Sequence, residues 1–455
     1  MNPQIFREYD IRGLVDKDLT DEVARQIGQA FGTYIQATGK RDLVVGRDNR
    51  LSSERFANAA IAGLLSTGCN VVDVGLLPTP VFYYSIVYLQ KEGGIMITGS
   101  HNPPDFNGFK ICEGYASIYG EKIQELRRII EIGRFAKGKG KLDRAKTIDP
   151  YCSYLKNGID IKREVKVVLD AGNGTAGAVA PALIEAMGGE VKRLYCNLDG
   201  NFPNHFPDPT VPEYLEDLIR VVKDEKAELG VAYDGDGDRI GVVDDKGRIV
   251  WGDRLLILFS RQILRQRRGA KIIFDVKCSQ VLMEDIKKHG GVPIMWKTGH
   301  SLIKGKLRQE GALLAGEMSG HMFFADRYYG YDDAIYASCR LLEILSQSDK
   351  TLSQLLEDVP LYYATPEIRV PCPDEEKFKV VEEVKEYFQS RYDTIDVDGV
   401  RILFGDGWGL IRASNTQPIL VLRFEADSEQ RLEQIREIVT GKLREFPSVS
   451  LLTDY

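Results

Sequence analysis

The sequence predicts an α/β protein: three similar mixed-sheet α/β domains followed by a smaller C-terminal α+β domain. Three observations carry this reading. The chain has 455 residues, enough for about three units at roughly 150 residues each, with room for a small fourth. A short β-branched run ending in Gly or Asp and followed by a helix-like segment occurs as DLVVGRD (42–48), VKVVLDAGNG (165–174) and KIIFDVKCS (271–279). Beyond residue 366 the pattern changes to a long charged helix and short strands.

In chain order, each of the three runs is a continuous apolar strand of the kind buried on both faces. Alternation with helices argues for parallel strands, and each restart opens a new sheet. The first domain is expected over 1–146, closed by the Gly/Lys-rich linker AKGKGKLDRAK (136–146). The second runs over 147–248, to the turn residues of DDKGRIVWGD (244–253). The third covers 249–366 and ends in PLYYATPEIRVPCPDEE (360–376), where prolines interrupt any element. The fourth takes 367–455.

Composition excludes several classes. Apolar residues make up 43% and charged residues 28%, so ample core is available. With 60 Lys+Arg against 67 Asp+Glu the net charge is −7, which removes the basic footprint of a general nucleic-acid binder. An anionic ligand must therefore meet a local basic pocket. Cysteines 69, 112, 152, 196, 278, 339 and 372 show no CxxC spacing, so neither a disulfide framework nor a zinc site is indicated. MNPQIFREYD lacks an apolar signal region, and no run approaches the roughly 18 apolar residues of a membrane span. A cytoplasmic protein is expected, and its oligomeric state is not legible.

Four loops gather the candidate chemistry. In ITGSHNPPDFNGFKI (97–111) the strand-like GGIMI leads into Ser100 and is stopped by Pro103 and Pro104. Ser100 thus falls on a tight, exposed loop at a strand's carboxyl end, where open α/β sheets bind ligands. It is a candidate nucleophile or phosphate carrier; a serine capping its own turn is the competing reading. In VAYDGDGDRIGVV (231–243), Asp234, Asp236 and Asp238 alternate with glycines between strand-like flanks. That spacing can turn all three carboxylates to one side, and such crowding calls for a cation. Mg²⁺ suits three carboxylates with water or a phosphate oxygen. An EF-hand fails, because Arg239 and Asp245 stand where its Gly and Glu belong. Arg239 is instead placed to clamp a phosphate.

In LLAGEMSGHMFF (313–324), Glu317, Ser319 and His321 are spaced so that extended backbone would point them the same way. A carboxylate and a hydroxyl suit vicinal sugar hydroxyls, and an imidazole binds phosphate or shuttles a proton. A polar strand end fits the pattern equally. In GWGLIRASNTQPILVLRFEA (407–426), Arg412, Ser414, Asn415 and Thr416 offer the donors a dianionic phosphate requires; a hairpin turn is as good a reading. Arg12, Lys110, Lys277 and His300 lie beside loop ends of the same kind. GNGTAG (172–177) matches a dinucleotide fingerprint, but its acidic partner Asp199 falls inside a loop, so a tight βα turn is expected. His205 and His289 have no obvious partners and read as structural.

A hydroxyl nucleophile, a cation loop, a hydroxyl-reading loop and a phosphate loop together describe phosphoryl transfer on a sugar phosphate. TGSHNPP, DGDGDR, GEMSGH and RASNTQP, in this order, closely resemble the motifs of the α-D-phosphohexomutases, in the phosphomannomutase/phosphoglucomutase branch. The resemblance spans the whole chain. It implies four domains arranged like a heart around a central cleft. It implies that Ser100 is the phosphoserine and, with Asp234, Asp236 and Asp238, holds Mg²⁺. Glu317 and Ser319 match the sugar-hydroxyl readers, and Arg412, Ser414, Asn415 and Thr416 the distal phosphate loop. Arg12, Lys110, Arg239, Lys277, His300 and His321 match cleft residues that neutralise phosphate or assist proton transfer, with Lys110 ahead of His321 as general acid/base.

The implied reaction interconverts hexose 1- and 6-phosphates of mannose or glucose, through phospho-Ser100 and a hexose 1,6-bisphosphate that turns around in the cleft. The fourth domain is expected to move. A phosphoglucosamine mutase is the alternative, but that branch usually has Gly at Asn415 and Gln at Met318. A Mg²⁺-dependent sugar phosphatase and a noncatalytic sugar-phosphate sensor are further alternatives.

Overall fold

The structure is a computed structural model that describes residues 1–415 and 417–450. Among them the strands form four sheets. In the first, the order is Ile11–Leu14, Phe106–Glu113, Gly93–Ile97, Asp42–Arg47, Asn70–Leu76 and Leu142–Arg144. The second runs Ile249–Val250, Ile240–Asp244, Leu229–Tyr233, Lys166–Asp170, Glu190–Leu194, and the third Val292–Trp296, Lys271–Asp275, Leu314–Gly316, Met322–Phe324. The fourth is antiparallel around Gly407–Ala413 and Ile419–Ala426, packed by helices Lys377–Gln389 and Glu429–Leu443.

The first three sheets share one device. A buried strand that pairs in parallel with its inner neighbour is followed by a strand that returns antiparallel beside it. The pairs are Gly93–Ile97 with Phe106–Glu113, Leu229–Tyr233 with Ile240–Asp244, and Leu314–Gly316 with Met322–Phe324. The three sheets are therefore mixed, as the fold class read from the sequence has it, and the parallel strands argued from helix alternation make up only part of each. Connections this short cannot make the crossover that a parallel partner needs, so the chain must double back. In the fourth sheet Gly407–Ala413 and Ile419–Ala426 form the corresponding hairpin. All four motif loops are thus connections between antiparallel neighbours.

The elements near the expected breaks differ in detail. The linker contributes Leu142–Arg144, an exposed edge strand parallel to Asn70–Leu76. Ile368–Pro371 is a strand although it ends in a proline; it lies at an edge of the ladder, where a missing N–H is tolerated. Tyr363–Ala364, before the expected break at 366, already pairs with the fourth sheet.

One apolar cluster runs through the first three units, joining Met96, Val231, Phe274 and Phe324, and each unit adds a cluster of its own, around Phe56 in the first, Leu218 in the second and Ile303 in the third. The fourth has its own core around Phe388, Ile411 and Phe424. Val276 packs on Trp408 and Leu410 to join the third unit to the fourth. There Arg401 donates to the carbonyls of Val276 (2.8 Å) and Cys278 (2.7 Å) and lies 3.7 Å over the Trp408 ring. No helix among the described residues is long and apolar enough to cross a membrane.

Candidate active site

The loop after Gly93–Ile97 turns sharply at Ser100, whose φ of 50° lies in the left-handed region. A non-glycine residue is held there only when its surroundings over-determine it. Thr98 Oγ1 accepts from Ser100 N (2.8 Å), and Ser100 Oγ donates to Asp234 Oδ2 (2.7 Å). The serine is 2% exposed, so the exposed loop expected from sequence is covered by the second unit. Ser100, three residues before the two prolines, and Asp234 at the head of the acidic loop meet across 134 positions of sequence.

The alternation of Asp and Gly does converge the carboxylates. Ligand atoms of Asp234, Asp236 and Asp238 lie within 4.8 Å of one another, and all three residues are 0% exposed. Asp236 Oδ1 and Asp238 Oδ1 are buried without a hydrogen-bond partner. Hard carboxylate oxygens, close-set and unpartnered, fit a divalent cation of the Mg²⁺ type. Burial, then the neighbouring Asp238 and Asp236, push the Asp234 carboxyl well above its ordinary range. Burial also pushes Asp236 up, but the Lys110 ammonium outweighs it and holds that carboxyl below the usual range. Lys110 Nζ contacts Asp236 Oδ2 at 2.8 Å and also Asp238 Oδ2. Burial alone would lower the lysine; the two aspartates reverse this and raise it.

Helix Thr79–Tyr88 aims its N-terminus at the same loop. Thr79 N donates to the Asp236 carbonyl (2.8 Å) and Thr79 Oγ1 to Asp236 Oδ2 (2.6 Å). Pro78 and Pro80 suit this start, because the first helical N–H groups have no partner within the helix. From the other side, Thr175 N donates to the Gly235 carbonyl (3.0 Å). A methyl on Gly174 would stand 2.7 Å from that oxygen. The GNGTAG glycines therefore serve close packing against the acidic loop, and the segment runs into a short 3₁₀ turn, Thr175–Ala178.

The GEMSGH segment is not extended. Glu317 N donates to the His321 carbonyl (2.9 Å) and Gly320 N to the Glu317 carbonyl (3.0 Å), which makes it a hairpin turn. The expectation that Glu317, Ser319 and His321 share a direction by strand alternation is corrected: Gly320, with φ of 94°, reverses the chain between them. Glu317 is buried and accepts from Gly299 N (2.6 Å), while Ser319 is half-buried. Burial pushes the Glu317 carboxyl up. His321 accepts from Arg239 Nε at its Nε2 (3.0 Å), and a backbone bridge ties the same two residues. The ring proton then belongs on Nδ1, which faces Asp332 (3.3 Å) and Asp238 (3.6 Å).

The remaining candidates split into two groups. Arg12 donates to Asn102 Oδ1 (3.0 Å) and pairs with Asp10, and His300 lies parallel to His321 with ring centroids 5.4 Å apart. Both belong with Ser100 and the acidic loop. Lys277, paired with Glu367 (3.0 Å), Arg412, paired with Asp398 (2.8 Å), and buried Ser414 mark the edge toward the fourth sheet. Asn415 Nδ2 donates to Tyr9 Oη (2.7 Å), and Tyr9 donates to the Thr298 carbonyl (2.8 Å). Thr416 lies outside the described residues.

The chain matches the phosphoglucomutase/phosphomannomutase family in four parts. These are α/β/α domain I over 3–137, domain II over 149–247, domain III over 251–363 and the C-terminal domain over 367–442. It is 49% identical to the phosphomannomutase/phosphoglucomutase of Pseudomonas aeruginosa over 441 residues, 97% of this chain and 95% of that one. The chain belongs to the phosphoglucomutase/phosphomannomutase family. It is 46% identical to the phosphoglucomutase of Neisseria gonorrhoeae over 437 residues, 95% of each chain. A crystal structure of a phosphoglucomutase/phosphomannomutase family protein from Burkholderia thailandensis superposes with a TM-score of 0.93 at 44% identity, covering 98% of both chains. Membership makes the chain a mutase, a phosphotransferase enzyme, and its relatives support phosphohexomutase activity.

Sequence reasoning missed several members of this mutase site. Asp332 sits under both histidines, 3.4 Å from His300 Nδ1, and is held by Lys304 (2.8 Å). His101 Nδ1 lies 3.1 Å from Ser100 Oγ. Tyr9 bridges the first unit to the third and fourth. Of these only His101 carried a signal, as the neighbour of the nucleophile candidate. His205, read as lacking partners, contacts Asp170 (3.1 Å) and stacks on Tyr214.

Proposed function

We propose that this mutase interconverts hexose 1-phosphates and hexose 6-phosphates of the glucose and mannose series through phospho-Ser100 and a hexose 1,6-bisphosphate. One observation carries the reading: the Ser100 hydroxyl donates to Asp234 of the acidic triad from the tip of a loop, whereas the other hydroxyl on the triad, that of Thr79 on Asp236, belongs to a helix N-terminus. Phospho-Ser100 gives its phosphoryl group to the free C1 or C6 hydroxyl of the sugar. The bisphosphate reorients, and the other phosphate returns to Ser100.

Mg²⁺ held by Asp234, Asp236, Asp238 and an oxygen of phosphorylated Ser100 supplies charge neutralisation for the transferring group. The chain's own residues do the rest. Arg239, Arg12 and Lys110 place fixed positive charge where phosphoryl oxygens gain negative charge, which is the main lever in phosphoryl transfer. Proton transfer at the sugar hydroxyl falls to Lys110 as general acid/base, with His321 the second choice. Glu317 and Ser319 hold vicinal sugar hydroxyls, and Lys277 and His300 line the path between them and the phosphates. Arg412, Ser414, Asn415 and Thr416 grip the phosphate that does not react. Glucose and mannose differ only at C2, so a grip on O3 and O4 leaves both as substrates. Domain divisions near 146, 248 and 366 agree with this division of labour, with the fourth domain moving to admit and turn the sugar.

The test is incubation with glucose 1-phosphate, Mg²⁺ and a trace of glucose 1,6-bisphosphate. Glucose 6-phosphate is the expected product, and free phosphate in its place would indicate a phosphatase. Ser100→Ala should lose turnover by roughly 10⁴-fold or more, the scale seen when a nucleophile is removed, while still binding sugar phosphate. Full activity in that variant would reject the assignment.

A further inference from the structure

The proposed reaction asks Ser100 to hold a backbone conformation that an L-residue rarely adopts, and the structure shows what enforces it. Arg50 follows the strand Asp42–Arg47, and its side chain is 0% exposed. One guanidinium takes four carbonyls of the nucleophile loop. Nη2 donates to Ser100 O (2.7 Å) and Asn102 O (2.5 Å), and Nη1 to Pro103 O (2.5 Å) and Phe106 O (3.0 Å). Asp48 completes the cradle. Its Oδ2 accepts from Gly99 N (3.2 Å) and lies 3.3 Å from Arg50 Nε, while its Oδ1 accepts from Arg50 N (3.0 Å) and from Ser53 Oγ. Gly99 is required by this approach, because a methyl there would stand 2.5 Å from Arg50 Nε. Phe202, from the second unit, covers the guanidinium at 5.1 Å.

We infer that Arg50 and Asp48 are positioning residues that clamp the loop 99–106 so that Ser100 Oγ faces the acidic triad; this rests on Ser100 being the phosphate carrier. The pair does not touch the reacting atoms. It fixes the Gly99 amide before Ser100 and the carbonyls of Ser100 and the residues after it, and a planar five-donor fork is the side chain that can span four acceptors at once. A lysine at 50 keeps the charge but not the fork. Neutralising Asp48 loosens both the Gly99 amide and the guanidinium.

Full-length wild type, Arg50→Lys, Asp48→Asn and Gly99→Ala are charged with glucose 1,6-bisphosphate, and phosphate on Ser100 is counted by mass spectrometry. Melting curves establish which variants fold. Turnover of glucose 1-phosphate is then expressed per phosphorylated site, which removes any effect of unfolded protein. Misplacing a reacting group by about 1 Å costs on the order of a hundredfold, so Arg50→Lys should lose about that in kcat per phosphorylated site, with KM within about twofold. Asp48→Asn and Gly99→Ala should fall in the same parameter by about tenfold, and they carry the test if Arg50→Lys does not fold. A folded variant that accepts no phosphate supports the inference equally. It is overturned if kcat per phosphorylated site stays within about threefold of wild type, or if the loss appears in KM. Absence of phosphate on Ser100 in wild type would instead overturn the nucleophile assignment itself.

Discussion

Replacing Lys110 with methionine separates two roles for the acidic pocket. The ammonium is 3% exposed and contacts Asp236 and Asp238, both 0% exposed. Removing one partner of a buried ion pair costs about 3–5 kcal/mol, because the other charge stays buried and unpaired. At about 4 °C per kcal/mol for units of roughly 100–150 residues, Lys110→Met should melt on the order of 10–20 °C below wild type in EDTA. Millimolar Mg²⁺ should reverse much of this. In wild type the cation competes with an ammonium already on two of its carboxylates, whereas in the variant Asp238 Oδ2 is released and Asp236 Oδ2 keeps only Thr79. A cation at a hundred times its dissociation constant adds about 2.7 kcal/mol, so the Mg²⁺-induced rise should be larger in the variant by several degrees. The assay is a pair of melts with and without Mg²⁺. Equal shifts in the two proteins would refute the competition, and no shift in either would refute the cation site.

Asp333 supplies a pH-dependent prediction. Burial pushes its carboxyl up to about 7 from 3.8, against the lowering effect of hydrogen bonds from Tyr328, Tyr336 N and Tyr151. The folded form therefore keeps its proton where the unfolded chain has lost it, so this contribution to stability is full below about pH 4 and lost as pH rises through 7. Between pH 7.5 and 5.5 wild type should gain about 2 kcal/mol relative to Asp333→Asn, read from urea melts; parallel pH profiles would contradict it. Tyr9→Phe removes the hydroxyl that receives Asn415 and donates to the Thr298 carbonyl. Each buried partner left unsatisfied costs about 1–3 kcal/mol, so KM for glucose 1-phosphate should rise several-fold with kcat little changed, and an unchanged KM would remove Tyr9 from the ligand-holding group.

What the sequence could reveal depended on whether a function is local. Asp234, Asp236 and Asp238 were legible because the whole carboxylate cage lies within one five-residue turn, and Ser100 because strand, glycine and prolines mark one loop. Arg50 was not. It reads as a charged residue before the helix Ser53–Thr67, and its four acceptors lie 50 to 56 positions away. Asp332 and Lys304 were silent for the same reason, since a buried carboxylate gains meaning only from the histidines and lysine folded onto it. A geometric error, extended backbone through Glu317 and His321, came from carrying a strand's alternation past its end into a turn.

The topology explains why such long-range partners are needed at all. A loop joining two antiparallel neighbours is held firmly at both ends but has no ladder of its own. The Ser100 loop borrows rigidity from Arg50 and Asp48, and the acidic loop from Thr79 and Thr175. The GEMSGH turn borrows it from Arg239. Thr79 comes from the first sheet's unit and Arg239 from the second, so the acidic loop and the GEMSGH turn are each steadied in part by a neighbouring domain, as the Ser100 loop is through Asp234.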